Sequence, residues 1–399
     1  MNDTATDTPP EVLRARMVDR LRTRMALAPT VVDAMLAVER HRYVPQAPLA
    51  EAYDESAVIT HRFPDGTSLS CASDPHIVSA MLNALQVRPR QKIMEVGAGT
   101  GYNAALLSTL TGRDGHVTTI DINADVTANA RRNLDSTGFN AVTVLIGDGA
   151  RGAAQGGPYD RIIVTVGAWD LPRAWWDQLV VGGRLVVPLR WRGTTRAISF
   201  IKREDRWESD WMFLCGFVPM LGQTGERNTT IDPDGLVTLH YDIDQNVDVD
   251  ALSGVLDGQR SARWSDVTVH GQESFDRVWL HLSVAEAGTV RIQADRAAVD
   301  AGLCTPAIPV RSPAIIDGGS LAYLAIRRSE TEQGRWQLGA IGHGPAADTL
   351  AGRVVDQIHA WDRDRDADPD VAAYPAGMAV PEEAARIIDK PDIRLLLRY

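Results

Sequence analysis

The hydrophobic and polar positions divide the sequence into parts with different patterns. Near the N-terminus, apolar residues recur at helical spacing after Pro9-Pro10, and a second helix is predicted from Thr30 to Arg42. Between Lys92 and Leu189, short apolar strands alternate with helical segments, which indicates a parallel sheet covered on both faces. We therefore predict a doubly wound α/β core preceded by helices.

After Pro188 the pattern becomes one of successive short strands. In RVWLHLSV, which ends at Val284, aliphatic residues alternate with Trp279, His281 and Ser283. This alternation predicts a half-buried strand. The segment WMFLCGFV is also predicted to be a strand, and an amphipathic helix is predicted between Leu350 and Trp361. The turn-rich stretch GQTGERNTTIDPDG indicates a domain boundary or a mobile loop.

The length of 399 residues exceeds that of one ordinary domain and favours two. We predict disorder at residues 1–9, a first domain at 10–222, and a β-rich α+β domain at 223–399. The formal charge is −11, with 52 acidic against 41 basic residues, and no basic cluster offsets it. Nucleic acid is therefore not an expected partner.

Composition excludes further classes of protein. No apolar run approaches the roughly 20 residues that a membrane helix requires, and the acidic N-terminus does not resemble a secretion signal. Cys71, Cys215 and Cys304 lie too far apart to predict a disulfide framework or a zinc site. The histidines of the second half are scattered among strands, so no metal site is expected there either. Together these features predict a soluble, cytoplasmic protein.

The sharpest motif, EVGAGTGY, follows a predicted strand and precedes a helix. Gly97, Gly99 and Gly101 let the backbone turn tightly and approach a ligand without a Cβ in the way. Their GxGxG spacing differs from the GxGxxG of dinucleotide sites, and Glu95 would repel a pyrophosphate. Its carboxylate suits the cationic ammonium and sulfonium of S-adenosylmethionine.

Two further acids end the next two strands. Asp121 follows the glycines by about 20 residues, where a carboxylate can accept both hydroxyls of a ribose. Asp148, in GDG, can accept a hydrogen bond from an adenine amino group. Each acid alone is explained equally well as a helix cap. Together with the glycine loop, the three acids predict a site for S-adenosylmethionine.

Upstream, SLSCASDPH leads into an apolar helix. Ser73 or Asp74 before Pro75 is typical of a helix start, so capping alone explains these residues. A helix N-terminus with hydroxyl and N–H groups also suits an anionic carboxylate, so a substrate site remains an alternative.

Six segments, in order, resemble the protein-L-isoaspartate O-methyltransferase family. They are VERHRYVPQAPLAEAYDESAVIT, SDPHIVSAML, IMEVGAGTGYNAALLS, GDG, YDRIIVTVGAWDLP and LVVGGRLVVPL, and they lie between residues 10 and 200. The resemblance implies a Rossmann-like class I methyltransferase core. It also implies transfer of a methyl group from S-adenosylmethionine to a side-chain carboxylate of a peptide, with S-adenosylhomocysteine as product.

The resemblance assigns roles to individual positions. It implies that Ser73 is the active-site serine. The cofactor positions are Glu95, Gly97, Gly99, Thr100, Gly101, Asp121, Asp148, Gly149 and Val166. The substrate positions are Ser70, His76, Gly167, Ala168 and Trp169, although simple packing explains Trp169 equally well.

The chain departs from the family in its loops and in its length. HRFPDGTSLSCA replaces a compact loop before the serine, Tyr53-Asp54-Glu55 replaces a Tyr-Glu-Asp type sequence, and nearly half of the protein follows the core. An extended C-terminus with CGFVPMLGQ resembles the subgroup associated with ribosomally made modified peptides, such as lanthipeptides and ATP-grasp-crosslinked peptides. That resemblance implies methylation of an aspartate in an already cyclised precursor peptide, followed by collapse to aspartimide or isoaspartate.

Two alternatives remain open. The chain would be a repair methyltransferase with an accessory domain if it acted on isoaspartyl residues of damaged proteins. It would be a peptide-binding scaffold if it kept the fold without catalysis. The C-terminal domain is expected to recognise the peptide, and dimerisation is the alternative role.

Overall fold

The computed structural model describes residues 8–308, 311–381 and 386–399. The chain forms two compact units, of which unit 1 contains the residues as far as Leu189 together with Arg196–Gln223. Unit 2 contains Arg190–Thr195 and Thr224–Tyr399. The short turn 190–195 therefore belongs to unit 2, although the sequence of unit 1 flanks it on both sides. The disorder predicted for residues 1–9 falls mainly outside the described residues.

Unit 1 contains seven α-helices and nine strands among its described residues. The helices are α1 (Pro10–Arg24), α2 (Pro29–Ala37), α3 (Leu49–Ala52), α4 (Pro75–Leu85), α5 (Tyr102–Thr111), α6 (Ala124–Ser136) and α7 (Arg173–Gln178). The strands are β1 (Val58–Arg62), β2 (Ser68–Ala72), β3 (Lys92–Val96), β4 (His116–Asp121), β5 (Thr143–Ile146), β6 (Tyr159–Val164), β7 (Leu179–Trp191), β8 (Thr194–Lys202) and β9 (Trp207–Leu214).

The central sheet of unit 1 confirms the predicted doubly wound α/β core. Its strand order is β9-β8-β7-β6-β3-β4-β5, and β3 to β7 are parallel. From β3 the chain moves outward to β4 and β5, and then returns to β6 on the other side of β3. The strand order therefore reverses between β3 and β6. In doubly wound folds, ligands bind beyond the carboxyl ends of the strands at such a point.

Apolar side chains of the N-terminal helices and the sheet form the core of unit 1. Met17 of α1, Met35 of α2, Leu82 of α4 and Leu107 of α5 are buried with Ile93 of β3. Four of the five residues of β3 are buried, as expected for a strand covered on both faces. The helices thus cover the sheet and leave its carboxyl edge for the functional site.

Unit 2 is rich in antiparallel strands. Its strands are β10 (Glu226–Thr230), β11 (Val237–Asp242), β12 (Arg260–His270), β13 (Thr289–Ala294), β14 (Ser312–Asp317), β15 (Ser320–Arg328), β16 (Arg335–His343), β17 (Asp370–Pro375), β18 (Arg386–Asp389) and β19 (Ile393–Arg398). Its helices are α8 (Val249–Leu252), α9 (Arg277–Ala285), α10 (Arg296–Asp300) and α11 (Ala347–Asp362).

Seven strands of unit 2 form one antiparallel sheet in the order β10-β11-β13-β14-β15-β16-β12. Alternate residues of β15 enter two separate cores, because Tyr323 packs on one face with Leu252 of α8 and Leu324 packs on the other with Leu350 of α11. The strands β17, β18 and β19 pair antiparallel in the order β18-β19-β17. The predicted β-rich α+β fold is confirmed.

The prediction of a strand at RVWLHLSV is wrong, because this segment forms helix α9. Its apolar residues alternate, but Trp279, His281 and Ser283 between them are also buried. A segment buried on all sides shows no amphipathic period, so alternation does not distinguish a strand from a helix there.

Other boundaries also differ from the predictions. Helix α2 ends at Ala37, and a separate 3₁₀ turn covers Arg40–Tyr43, because Val38 adopts an extended conformation. Strand β9 ends at Leu214, before the glycine and proline of CGFVPML. The sequence analysis did not predict the hairpin β1–β2. It also did not predict strand β10, which lies inside the turn-rich stretch GQTGERNTTIDPDG. No helix in the described ranges is both long and apolar enough to cross a bilayer.

Two buried histidines of unit 2 make its stability depend on pH. Burial lowers the pKa of His281 and of His343 to about 4. The unfolded chain binds these protons near pH 6.5, so stability is lost as the pH falls from about 6.5 towards 4. We expect the Tm of unit 2 to be lower at pH 5 than at pH 7, since about 1 kcal/mol per histidine shifts Tm by roughly 2–4 °C.

Calorimetric scans of the full chain at several pH values test this prediction. His343→Gln is expected to reduce the loss of stability at low pH, whereas His359→Gln, at a half-exposed position of α11, is the control. If the Tm of the wild type and that of His343→Gln depended on pH in the same way, His343 would not contribute to the loss of stability.

Candidate functional site

A cavity of about 690 Å³ lies in unit 1 beyond the carboxyl ends of β3 and β6. Its size is within the range of small-molecule sites. Its walls include the hairpin β1–β2, the start of α4, the glycine loop after β3, the ends of β4, β5 and β6, and the segment Gly216–Leu221. The cavity therefore occupies the point where the strand order reverses.

The backbone of the glycine loop is left-handed at Gly97 and Gly99, and at Gly97 there is also no space for a Cβ. Gly97 has φ +101°, and a Cβ there would lie 2.5 Å from the Oγ1 of Thr165. Gly99 has φ +51°, and a Cβ there would lie 3.6 Å from the carbonyl oxygen of Cys71. The loop therefore runs between the end of β6 and strand β2, and any other residue would be strained at both positions.

Glu95 is wholly buried at the end of β3. One carboxylate oxygen accepts a hydrogen bond of 2.7 Å from the Asn103 amide, while Oε2 has no partner among the described residues. Burial raises the pKa of Glu95 to about 7, an effect that the hydroxyl of Thr119 and the amide of Asn103 oppose and that Asp121 strengthens. A buried carboxylate oxygen without a donor fits a cationic donor from a ligand.

Asp121 and Asp148 both line the cavity and both bind backbone amides. Asp121 Oδ2 accepts from the Ala98 amide at 3.0 Å, so it fastens the glycine loop to the end of β4. Asp148 Oδ1 accepts from the Ala150 amide at 2.9 Å and caps a short 3₁₀ helix. Capping and ligand binding are compatible, because an ionised carboxylate has about four acceptor positions.

The structure assigns the cap of α4 to Asp74 rather than to Ser73. The Asp74 carboxylate accepts from the amide of His76 at 2.7 Å, and Pro75 is the first residue of the helix. Ser73 lies one residue before, lines the cavity, and has its hydroxyl beside the thiol of Cys71. Ser70 of β2 lines the same side. The Ser73 hydroxyl is therefore not used to start the helix.

Eight of the nine predicted cofactor positions line the cavity together with Ser70 and Ser73. The eight are Glu95, Gly97, Gly99, Thr100, Asp121, Asp148, Gly149 and Val166. Gly101 packs against α6 instead, since a Cβ there would lie 3.1 Å from the Ala130 carbonyl oxygen. His76, Gly167, Ala168 and Trp169 do not line the cavity either.

Those four residues have structural contacts. The ring of His76 packs edge-on against Phe213 at 5.3 Å, and Trp169 is buried. The Gly167 amide donates to the Val218 carbonyl at 2.7 Å, and its carbonyl accepts from Met220 at 2.9 Å. The stretch after β6 therefore holds the segment Gly216–Leu221 in place as a cavity wall.

Several cavity residues were not predicted. They are Asn103, which binds Glu95, the hairpin residues Ile59 and Phe63, and the segment Gly216–Leu221. Pro219 could have indicated that the segment Gly216–Leu221 is a loop, because proline disfavours the continuation of a strand through CGFVPML. The described residues contain no group of three or more His, Cys, Asp or Glu that would hold a metal ion.

The sequence matches a family model. Residues 13–225 match the model described as Protein-L-isoaspartate(D-aspartate) O-methyltransferase (PCMT), which is more than half of the chain. The chain belongs to this family. It is a protein carboxyl O-methyltransferase, and its methyl donor is S-adenosylmethionine. The alternative of a non-catalytic scaffold is therefore set aside.

Individual relatives agree with the family. A protein-L-isoaspartate O-methyltransferase of Methanopyrus kandleri is 38% identical over 219 residues, which cover 53% of this chain and 92% of the relative. One of Syntrophus aciditrophicus is 35% identical over 216 residues, with 53% and 95% covered. These relatives match about half of this chain and are little longer than the matched region.

A solved structure of a protein-L-isoaspartate O-methyltransferase matches a larger part of the methyltransferase chain. It covers 90% of this chain and 96% of its own, with a TM-score of 0.50 and 18% sequence identity. At this identity the likeness concerns the fold alone. The match in fold extends well beyond unit 1.

The raised pKa of Glu95 predicts how the methyltransferase binds its donor. The protonated fraction of Glu95 increases as the pH falls below its pKa of about 7, and a cationic ammonium bound there would have to displace the proton. We expect affinity for S-adenosylmethionine to rise by about tenfold for each pH unit below 7 and to level off above it. Calorimetric titration between about pH 5.5 and 7.5, below the pKa of the α-amino group, measures this change.

A ligand and a variant serve as controls. 5′-Methylthioadenosine lacks the amino-acid part, so its affinity is expected to be independent of pH. Glu95→Gln is expected to bind S-adenosylmethionine more weakly and without pH dependence. A pH dependence that persists in Glu95→Gln would show that another group titrates.

Proposed function

We propose that the enzyme methylates an aspartyl or isoaspartyl side chain in a ribosomally made peptide that is already cyclised or crosslinked. The observation that carries the proposal is an apolar wall on the acceptor side of the cavity. Ile59 and Leu221 line the cavity and are 39% and 41% exposed, and Phe63 and Phe217 are half-buried beside it. Exposed apolar surface at a site indicates an apolar ligand.

The same wall distinguishes two kinds of substrate. A repair enzyme must accept damaged residues in any sequence context, whereas large apolar side chains at the acceptor site favour particular neighbours. Ile59 belongs to the hairpin β1–β2, whose second part is the sequence HRFPDGTSLSCA. A dedicated peptide with apolar residues near its target carboxylate fits this wall.

The residues present fit S-adenosylmethionine. The unpartnered Oε2 of Glu95 would hold the ammonium, Asp121 would accept the ribose hydroxyls, and Asp148 with Gly149 would border the adenine. Val166 would border the group that is transferred. The bound donor supplies a methyl group on a positively charged sulfur.

The acceptor side needs only to orient and desolvate its substrate. A carboxylate with a reference pKa near 4 is already ionised at pH 7, so no residue has to remove a proton. Ser73 would orient the carboxylate by donating a hydrogen bond, and the hairpin would exclude water, which favours a reaction that neutralises charge.

The methyl ester is expected to react further without another active-site group. The backbone nitrogen of the following residue attacks the ester carbonyl, its proton leaves with the methoxide as methanol, and a five-membered succinimide forms. Water can then open the ring to isoaspartate or aspartate.

Repair of isoaspartyl residues in damaged proteins is the second candidate. The relatives from Methanopyrus kandleri and Syntrophus aciditrophicus carry the name protein-L-isoaspartate O-methyltransferase. The names of these relatives support repair as the second candidate.

A matched pair of peptides separates the candidates. One is linear and contains an isoaspartyl residue; the other has the same sequence, is cyclised by a side-chain lactam and contains aspartate, with apolar residues beside the target. We expect kcat/KM to be at least about tenfold higher for the cyclic peptide, equivalent to 1.4 kcal/mol. Mass spectrometry then distinguishes the gain of a methyl group from the loss of water.

Equal or higher turnover of the linear isoaspartyl peptide would establish repair instead. The control is a cyclic peptide in which serine replaces the apolar neighbours. Its kcat/KM is expected to be no higher than that of the linear isoaspartyl peptide.

We also propose that unit 2 recognises the peptide. It is a separate β-rich unit, and the cavity lies wholly in unit 1. A chain that ends at Gln223 tests this role, but it would expose Trp191, which is fully buried and donates to Ser283 of unit 2. The truncated chain should therefore carry Trp191→Ser.

We expect the truncated chain to bind S-adenosylhomocysteine with affinity within about threefold of the full chain and to lose at least about tenfold in kcat/KM on the cyclic peptide. Unchanged turnover would contradict the role. A change from dimer to monomer in solution mass would instead identify unit 2 as a dimerisation module.

A further inference from the structure

Arg40 is a wholly buried cation in unit 1 whose hydrogen bonds go to backbone carbonyls. Nε donates to the Ala52 carbonyl at 2.8 Å, and Nη2 donates to the carbonyls of Ala72 at 3.2 Å and Ser73 at 2.8 Å. Nη1 is buried and has no partner among the described residues. Arg40 was not among the predicted site residues, and it does not line the cavity.

Stability alone does not explain this arginine. Burial disfavours the charged guanidinium, and its pKa is lowered for that reason, although Tyr102 and Asp74 oppose the shift. No carboxylate forms an ion pair with Arg40 in the part of the chain that the structure describes. Burying a charge that has no ion-pair partner costs free energy, which its hydrogen bonds to carbonyls must offset. Its contacts therefore indicate a role in the geometry of the site.

The contacts of Arg40 fix the backbone around Ser73. They hold the carbonyls of Ala72 and Ser73, immediately before α4. On the other side, Asp74 caps the first turn of that helix. The backbone of Ser73 is thus held from both directions, and the direction of its Cα–Cβ bond follows.

The same guanidinium also contacts the cofactor side of the cavity. It lies over the ring of Tyr102, 5.1 Å from the centroid. Tyr102 lines the cavity and is the first residue of α5, directly after the glycine loop. Arg40 therefore touches the two segments that carry the acceptor serine and the donor loop.

We propose that Arg40 is a positioning residue for methyl transfer, which sets Ser73 against the glycine loop through the carbonyls of Ala72 and Ser73 and the ring of Tyr102. The proposal rests on the proposed role of Ser73 in orienting the acceptor carboxylate. It does not depend on which peptide is the natural substrate, so an isoaspartyl peptide is a sufficient probe.

The first test compares Arg40→Gln, Arg40→Lys and a matched control in the full-length enzyme. Arg161 is also buried and donates to backbone carbonyls, those of Leu85 and Gln86, but at the opposite end of α4. Arg161→Gln therefore removes the same kind of contact from the same helix without touching Ser73. Thermal unfolding of each variant shows how much stability it has lost.

We expect Arg40→Gln to lower kcat/KM for the isoaspartyl peptide by at least about tenfold, while the Kd of S-adenosylhomocysteine changes by less than about threefold. Arg40→Lys should recover part of the loss, because it keeps the charge but not the fork of donors. Arg161→Gln should leave kcat/KM within about threefold at a similar loss of Tm. Equal kinetic losses in Arg161→Gln and Arg40→Gln would overturn the proposal.

A double-mutant cycle with Ser73→Ala tests whether Arg40 acts through Ser73. We expect the effect of Arg40→Gln on kcat/KM to shrink to less than about threefold in the Ser73→Ala background. Additive effects would overturn the proposal for Arg40. If Ser73→Ala alone changed nothing, the role of Ser73 would fail instead, so the two failures are distinguishable. If Arg40→Gln does not fold, the cycle is run with Arg40→Lys, and additivity there has the same meaning.

Discussion

The hydrogen bond between the Asp121 carboxylate and the glycine loop is the contact on which the site depends. It ties the loop after β3 to the end of β4, beside the gap that opens where the strand order reverses. Around this contact the loop has room only for glycine at Gly97, because Thr165 of the neighbouring strand end occupies the place of a side chain. One carboxylate thus closes the loop and faces the cavity at the same time.

The fold of unit 1 could be predicted because it follows from patterns among residues that are close together in the sequence. Apolar strands alternate with helices, and the GxGxG loop lies directly after a strand, so sequence spacing alone places it at the carboxyl edge of the sheet. The failures have a common cause in tertiary contacts. Helix α9 is buried on all sides, and the pairing of β1 with β2 brings together residues whose local pattern shows no strand.

The site was predictable to a similar extent. The acids at strand ends line the cavity because parallel strands present their carboxyl ends together. Spacing did not separate Ser73 from Asp74 as the helix cap, since either suits the position before a proline, and only the contact with the His76 amide decides. Arg40 was not predicted as a site residue, because a sequence pattern does not distinguish a buried arginine in a helical stretch from an exposed one.

The membership of residues 190–195 in unit 2 bears on how modular the enzyme is. The polypeptide passes between the units three times, before Arg190, after Thr195 and after Gln223. Unit 2 is therefore not a simple C-terminal fusion, and a single proteolytic cut after Gln223 would leave one of its segments behind. An exchange of unit 2 between members of the family would succeed only if the turn between β7 and β8 were exchanged with it.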